Sequence, residues 1–279
     1  MNKIIFNGKI LPANEPVLMA DNRSYRYGDG FFETMQVYQG KILLEELHAQ
    51  RLTKTLALLQ FHLPVHLSFE KLKTEIVSLC QKNNCEKNAR IRLSFSRGLG
   101  GLFEGNPTAD YCIECWPLEQ NIKELNPNGL EIGIFPDARK SMDRFSGIKS
   151  ASFQSYALAA LYAKEQKWND ALLLNTNGNL TDSTIANIFL LINGKLITPS
   201  LDQGCIDGVM RRHIIRVMQE NGLIVEERPV HPDDLRQADE IFLSNAIRGI
   251  RWVGRFGDTT YICQQTVDIF NQAVRTLLH

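Results

Sequence analysis

The sequence predicts an α+β protein of two domains, a smaller N-terminal domain and a larger C-terminal one built on a mixed sheet. Three observations lead there. At 279 residues the chain is long enough for two cores of ordinary size. Asn7-Gly8, Asn177-Gly178 and Asn193-Gly194 each join strand-like runs through the tight turn of a hairpin, so antiparallel pairing occurs in both halves and a simple doubly wound sheet is excluded. Pro117 to Pro127 mixes proline, charge and amide residues without a period, which reads as a surface linker. The expected boundaries are residues 1–117 for the first domain, 118–127 for the linker and 128–279 for the second.

Along the first domain, Ile4 to Leu11 reads as a hairpin turning at Asn7-Gly8, and Phe32 to Tyr38 pairs with Lys41 to Leu44 around Gln39-Gly40. Ala89 to Ser96 alternates apolar and polar residues as a half-buried strand does, and Asp110 to Trp116 has strand composition. Two helices are expected, at 45–60 and at 69–83, the second carrying Phe69, Leu72, Ile76 and Leu79 at helical spacing. In the second domain strands are expected near 130–135, 170–175, 186–192, 223–228 and 240–244. A further strand leaves the Asn177-Gly178 turn, and a hairpin follows Asn193-Gly194 to 198. Helices are expected at 152–167, at 208–221 and from about 264.

Lys+Arg and Asp+Glu both number 31 and are interspersed, so neither nucleic acid nor a membrane surface is an expected partner. No apolar run approaches the roughly 20 residues of a membrane span, and the expected location is the cytoplasm. Cys112 and Cys115 have half the spacing of a metal or redox site, but residues three apart in a strand face opposite ways, and no second pair lies at zinc spacing. The six cysteines read as reduced thiols and no metal is expected.

Chemistry is suggested by Lys149, which ends the loop Arg144-Phe-Ser-Gly-Ile-Lys149, and by Asp182, on the strand leaving the Asn177-Gly178 turn. Pyridoxal phosphate requires an amine for its aldehyde, an anion for its ring nitrogen and a dock for its phosphate. Lys149 and Asp182 suit the first two. Asp207-Gly208 opens a helix whose free N–H groups and positive dipole end face an anion, and Arg51 offers a planar donor fork. Each residue alone has an ordinary structural explanation.

Together and in order, these segments resemble the class IV pyridoxal phosphate enzymes: branched-chain aminotransferases, D-amino acid aminotransferases and aminodeoxychorismate lyases. Tyr27-Gly-Asp-Gly-Phe-Phe-Glu-Thr34 is similar to the family signature, His48-x-x-Arg51-Leu52 to its phosphate-arginine segment, and Gly178 to Phe189 to the stretch bearing the ring-nitrogen acid. The resemblance implies a fold type IV architecture, with a pseudo-barrel second domain, and a homodimer. It implies Lys149 as the Schiff-base lysine and Thr34 as a second catalytic residue that positions substrate. The implied cofactor contacts are Arg51, Asp182, Gly208, Val209, Met210, Asn245 and Ala246. Arg97 is implied as partner of a substrate carboxylate.

Within the class, Met210 in place of a threonine, Asn245-Ala246 and Arg97-Gly-Leu-Gly-Gly101 resemble the lyases. The leading expectation is therefore conversion of 4-amino-4-deoxychorismate to 4-aminobenzoate and pyruvate, in folate biosynthesis. The alternatives are an aminotransferase acting on D- or branched-chain amino acids and a pyridoxal phosphate-binding protein without turnover. One residue departs from the family: Asp182 stands where glutamate is usual, one methylene shorter toward the ring nitrogen.

Overall fold

A computed structural model describes residues 2–104, 108–119 and 124–278, so residues 120–123 of the expected linker lie outside the described residues. The chain forms two compact units. The first comprises Met1–Gln120 together with Ile148–Phe153, and the second comprises Asn121–Gly147 and Gln154–His279. The short segment carrying Lys149 thus belongs to the first unit, although the residues on both sides of it belong to the second.

The first unit runs β1 (Lys3–Phe6), β2 (Lys9–Pro12), α1 (Arg23–Tyr27), β3 (Gly30–Tyr38), β4 (Lys41–Ile42), α2 (Glu45–Leu58), α3 (Phe69–Lys82), β5 (Asn88–Ser96) and β6 (Asp110–Pro117). Its sheet has the order β2-β1-β6-β5-β3-β4, antiparallel throughout. Asn7 and Gly8 both have positive φ, as a two-residue hairpin turn demands. Met35, Val37, Ile91, Leu93 and Ile113 of the sheet share a core with Leu72, Ile76 and Leu79 of α3. α3 follows its apolar spacing and is capped by the Ser68 side chain, which accepts from Lys71 N. α2 is unlike it: His48, Arg51, Leu52 and Thr55 form its buried face. A helix that buries two basic side chains must bring them acceptors.

The second unit runs β7 (Leu130–Lys140), α4 (Gln154–Glu165), β8 (Asp170–Asn175), β9 (Leu180–Ser183), β10 (Asn187–Ile192), β11 (Lys195–Pro199), α5 (Val209–Glu220), β12 (Val225–Arg228), α6 (Pro232–Gln237), β13 (Glu240–Asn245), β14 (Gly249–Phe256), β15 (Thr259–Thr260) and α7 (Gln265–Ala273). The sheet path is β12-β11-β10-β13-β14-β7-β8-β9, and β9 also pairs with β10. That last pairing closes β10, β13, β14, β7, β8 and β9 into a six-stranded barrel, the pseudo-barrel expected of this half. The barrel is mixed, since β7 runs parallel to β8 and β14 while the other neighbours are antiparallel. Ile132, Leu172, Leu180, Ile188, Leu190, Ile241, Leu243 and Val253 belong to one apolar core.

Several elements differ from the sequence expectation. β7 continues five residues past 135, to Lys140, through a register irregularity between Ile134 and Arg139. β14 was not expected, because its bulge between Val253 and Arg255 breaks the two-residue period. α1 and α6, of five and six residues, are too short to show helical periodicity.

Candidate active site

The signature Tyr27 to Thr34 is first a structural device. α1 ends at Gly28, in the left-handed region, whose N–H reaches the carbonyls of Arg23 and Ser24. Asp29 accepts from Arg23 Nε at 2.8 Å and from Arg97 Nε at 3.0 Å. A side chain at Gly30 would run into the Phe95 carbonyl and the Ser24 hydroxyl. Arg97 further donates to the carbonyls of Leu59 at 2.7 Å and Gln60 at 3.0 Å, and its guanidinium lies 4.1 Å over Phe61. Each of its three nitrogens therefore serves the fold.

Beyond that turn, β3 alternates. Glu33 faces α2, where Arg51 grips it through Nε to Oε1 at 2.8 Å and through one terminal nitrogen to Oε2 at 2.6 Å. His48 Nδ1 lies 2.8 Å from the same Oε2. Burial raises the Glu33 carboxyl, but the Arg51 guanidinium and the hydrogen bonds from His48 and Arg51 outweigh it and hold it at about 2. Burial lowers His48, against the opposite pull of Glu33. A neutral His48 must carry its hydrogen on Nδ1 to serve Glu33, which leaves Nε2 a buried acceptor without a hydrogen-bond partner.

The other face of β3 carries Phe32 and Thr34, the latter directly opposite Arg92 of β5. Segment 149–151 pairs along it: Phe32 N donates to Lys149 O at 2.9 Å and Ala151 N to Gly30 O at 2.9 Å. Lys149 Nζ lies 4.9 Å from the Phe32 ring centre and 5.9 Å from that of Phe153. The Arg92 guanidinium lies 3.8 Å from the Phe32 ring centre. Lys149 and Arg92 are thus gathered about one phenyl ring, with Thr34 paired to Arg92 on the same face. Arg92 escaped the sequence reading, although the alternation of Ala89 to Ser96 already placed it on the polar face of β5.

In the second unit, Asp182 of β9 is 2 % exposed. Its Oδ2 accepts from Lys140 Nζ at 2.8 Å and from the Tyr156 hydroxyl at 2.6 Å, and its Oδ1 from Ile206 N at 3.1 Å. Lys140 also donates to the Tyr156 oxygen. Burial, and then the charge of Asp182, push the Tyr156 hydroxyl well above its ordinary range. Neither Lys140 nor Tyr156 was singled out from sequence. Lys140 lies past the apolar part of β7, and Tyr156 resembled a core residue of α4.

The same strand pair fixes the start of α5. Asn187, opposite Asp182 in the β9–β10 register, donates to Ile206 O at 2.8 Å. Asp207 N donates to Gly147 O at 3.1 Å, two residues before Lys149 along the chain. No side chain caps α5 at Gly208, and a Cβ there would collide with Asn187 Oδ1. Gly208 itself thus offers the first turn no side-chain acceptor. Val209 and Met210 turn their side chains into the core, so only their backbone N–H groups can meet an anion. Asn245 turns its side chain back on itself: Oδ1 accepts from Ile247 N and Arg248 N, and Nδ2 donates to Ile185 O.

Taken unit by unit, the first offers the amine that pyridoxal phosphate requires and the second a glycine-opened helix start. The acid, also in the second, is present but already holds a lysine. Of the residues expected at the site, Lys149, Thr34 and Arg51 lie in the first unit, and Asp182, Gly208, Val209, Met210, Asn245 and Ala246 in the second.

The family model "Amino-transferase class IV" matches residues 30–256. A protein of Synechocystis described as "Probable branched-chain-amino-acid aminotransferase" is 29% identical over 266 residues, spanning 91% of this chain and 85% of its own length. The aminodeoxychorismate lyase of Bacillus subtilis is 28% identical over 249 residues, spanning 88% of this chain and 83% of its own. Among solved structures, the branched-chain aminotransferase of Thermoproteus uzoniensis with norvaline superposes with a TM-score of 0.88 at 20% identity. It covers 99% of this chain and 95% of its own, and shows the shared fold.

Proposed function

Because this chain belongs to the class IV aminotransferase family, we propose that it is the lyase of that family, converting 4-amino-4-deoxychorismate to 4-aminobenzoate and pyruvate. The family is pyridoxal phosphate-dependent. The observation that carries the lyase reading is the opening of α5: Met210 buries its side chain where the aminotransferases carry a threonine hydroxyl. The close relatives do not decide the matter, since those named lyase and those named aminotransferase are about equally similar.

Bound pyridoxal phosphate supplies an aldehyde that captures amines and a ring that absorbs electrons. The residues divide the remaining work. Lys149 Nζ would hold the aldehyde, and, when a substrate amine takes that place, the freed nitrogen would remove the proton from the carbon bearing the amine. The neighbouring carbon–oxygen bond then breaks, its electron pair leaving with the enolpyruvyl oxygen. A proton returns to that fragment as pyruvate forms, and the ring left behind becomes aromatic.

Arg51, its fork held by Glu33, and the backbone N–H groups of Gly208, Val209 and Met210 hold the phosphate. Asn245 keeps the β13–β14 turn in shape so that its backbone and that of Ala246 can assist. Asp182 would face the ring nitrogen, with Tyr156 fixing its orientation and Lys140 occupying it in the absence of the ring. Arg92, with Thr34 opposite it, takes the place first given to Arg97 as partner for a substrate carboxylate. Lys149→Ala is expected to abolish covalent capture of the cofactor and to lower turnover at least 1000-fold, roughly the scale set by loss of a nucleophile. A Lys149→Ala protein retaining the absorption band of lysine-bound cofactor removes Lys149 from this role.

The decisive assay incubates the loaded protein with aminodeoxychorismate and follows 4-aminobenzoate. In parallel, D-alanine or leucine is supplied with 2-oxoglutarate and glutamate is measured. Robust glutamate formation without 4-aminobenzoate replaces the lyase by the second reading, an aminotransferase on D- or branched-chain amino acids, favoured by the Synechocystis relative. Cofactor capture with neither product leaves the third reading, a binding protein, which the pre-existing Lys140–Asp182 pair favours. The proposed assembly is a homodimer, tested by sedimentation. Among the described residues, no helix is long and apolar enough to cross a membrane.

A further inference from the structure

Three of the six cysteines meet at one point in the core of the first unit. Cys80 comes from the last turn of α3, Cys85 from the turn that follows and Cys115 from β6, and all three are buried. Their sulfurs all lie within 4.8 Å of one another, with Cys85 Sγ 3.6 Å from Cys115 Sγ. Cys112, the sequence neighbour that had suggested a pair with Cys115, lies on the opposite face of the strand and is partly exposed. The cluster was invisible in the sequence because its members are separated by 5 and 30 residues.

Buried thiols commonly act as small apolar side chains, but two features here go beyond space filling. The sulfurs gather on one another rather than dispersing among the neighbouring leucines and isoleucines. The Asn83 amide also points into the group, donating to Cys115 Sγ at 3.0 Å. Asn83 is itself held by β1, since its Oδ1 accepts from Lys3 N and its Nδ2 donates to Lys3 O, each at 2.8 Å. A fixed N–H donor aimed at a sulfur is what a metal-bound thiolate uses to disperse its charge.

We propose that Cys80, Cys85 and Cys115 hold one thiophilic closed-shell cation, copper(I), in three-coordinate geometry. Metal–sulfur bonds of about 2.3 Å place three sulfurs around a central ion roughly 4 Å apart, which the observed separations already approach. Structural zinc takes four ligands, whereas among the described residues no fourth histidine, cysteine, aspartate or glutamate joins the group. An all-sulfur, three-ligand set selects the softer monovalent ion. Binding replaces S–H by S–metal bonds, the displaced protons passing to solvent without change of oxidation state. The ion would tie the end of α3 to β6, on the face of the sheet turned away from Lys149 and Arg92.

The test uses the full chain, reduced and kept without oxygen, titrated against the copper(I)–bicinchoninate complex. Wild type is expected to withdraw one copper per chain, Cys112→Ala likewise, and Cys115→Ala and Cys80→Ala none. Copper is expected to raise the thermal midpoint of wild type by several degrees. Should the alanine variants fail to fold, alkylation of wild type followed by peptide mass spectrometry gives an independent reading: copper should shield Cys80, Cys85 and Cys115 while leaving Cys112 reactive. The proposal is overturned by wild type withdrawing no copper, by unchanged uptake in Cys115→Ala, by preferential uptake of zinc(II), or by copper that leaves all the cysteines equally reactive.

Discussion

The two units each bury a carboxylate against a cation and a neutral polar ring, and the two clusters differ in what the cation can do. In the first unit Glu33 is gripped by Arg51 and His48. In the second, Asp182 is gripped by Lys140 and Tyr156. A guanidinium keeps its proton under all ordinary conditions and binds through a planar fork, so the first pair is permanent and directional. An ammonium is a point charge on a flexible stem and can swing away, so the second pair is exchangeable. The first suits a residue that must present one fixed edge to a phosphate. The second suits an acid that must hold its place until a ring nitrogen arrives and then change partners.

That contrast predicts its largest effect on stability at Glu33. Glu33→Gln keeps the shape but leaves Arg51 buried with an uncompensated charge, and breaking a buried pair from one side costs about 3–5 kcal/mol. Lys140→Met should cost clearly less, because the carboxylate it abandons keeps the Tyr156 hydroxyl and Ile206 N as donors. Chemical denaturation of both variants measures the difference. Equal losses would mean that the two clusters are energetically alike and the distinction between fixed and exchangeable pairs is empty.

Acid provides the next test. The Glu33 carboxyl is held at about 2 against an ordinary 4.5, which at 1.36 kcal/mol per pH unit corresponds to about 3 kcal/mol. A depressed acid stabilises the fold fully above its unfolded value and loses that contribution as pH falls toward the folded one. The Glu33 contribution should therefore fade between about pH 4.5 and pH 2. His48, also lowered by burial, acts in the same direction beginning near pH 6.5, because the unfolded chain takes up the proton first. Glu33→Gln should flatten the lower part of the profile. An unchanged slope there would place the acid sensitivity elsewhere.

In the second unit the effect moves from stability to ligand affinity. If Asp182 serves the ring nitrogen as proposed, Lys140→Met removes a competing ammonium, so pyridoxal phosphate should bind several-fold more tightly, on the scale of about 1 kcal/mol for one charge-assisted contact. Equilibrium fluorescence titration of the apoprotein reads this directly. Weaker binding would show that Lys140 supports the cofactor instead of reserving its place.

How much of this was legible in the sequence follows from where the signals sit. The hairpins at Asn7-Gly8 and Asn193-Gly194, the apolar face of α3 and the segments around Lys149, Asp182 and Gly208 stand out because turn chemistry, helical periodicity and short motifs are local. β14 was hidden because Gly254 sits where a strand would ordinarily carry a side chain, packed on the backbone of Gly129. The partners of each motif residue were hidden for a different reason. Lys140 and Asp182 are 42 residues apart and Arg51 and Glu33 are 18, and only the register of the sheets brings them together. Arg97 drew attention through its glycine-rich loop, whereas Arg92 owes its position to strand alternation and to the register opposite Thr34. A motif identifies residues that matter, but the fold decides which of them face a ligand and which hold the turn that presents it.

Tyr156 allows the smallest and sharpest comparison. It shares Oδ2 of Asp182 with Lys140, so it either fixes the carboxylate for the ring nitrogen or merely satisfies a buried oxygen. Tyr156→Phe removes the hydroxyl that donates to Asp182 and accepts from Lys140 and should cost about 2 kcal/mol of stability, less than Lys140→Met. If the hydroxyl orients the acid, the variant should also bind cofactor a few-fold more weakly, opposite in sign to Lys140→Met, and the double variant should fall between the two. If it only satisfies the oxygen, stability falls while affinity stays at the wild-type value. Affinity measured across the three variants therefore separates the competitor of Asp182 from its support.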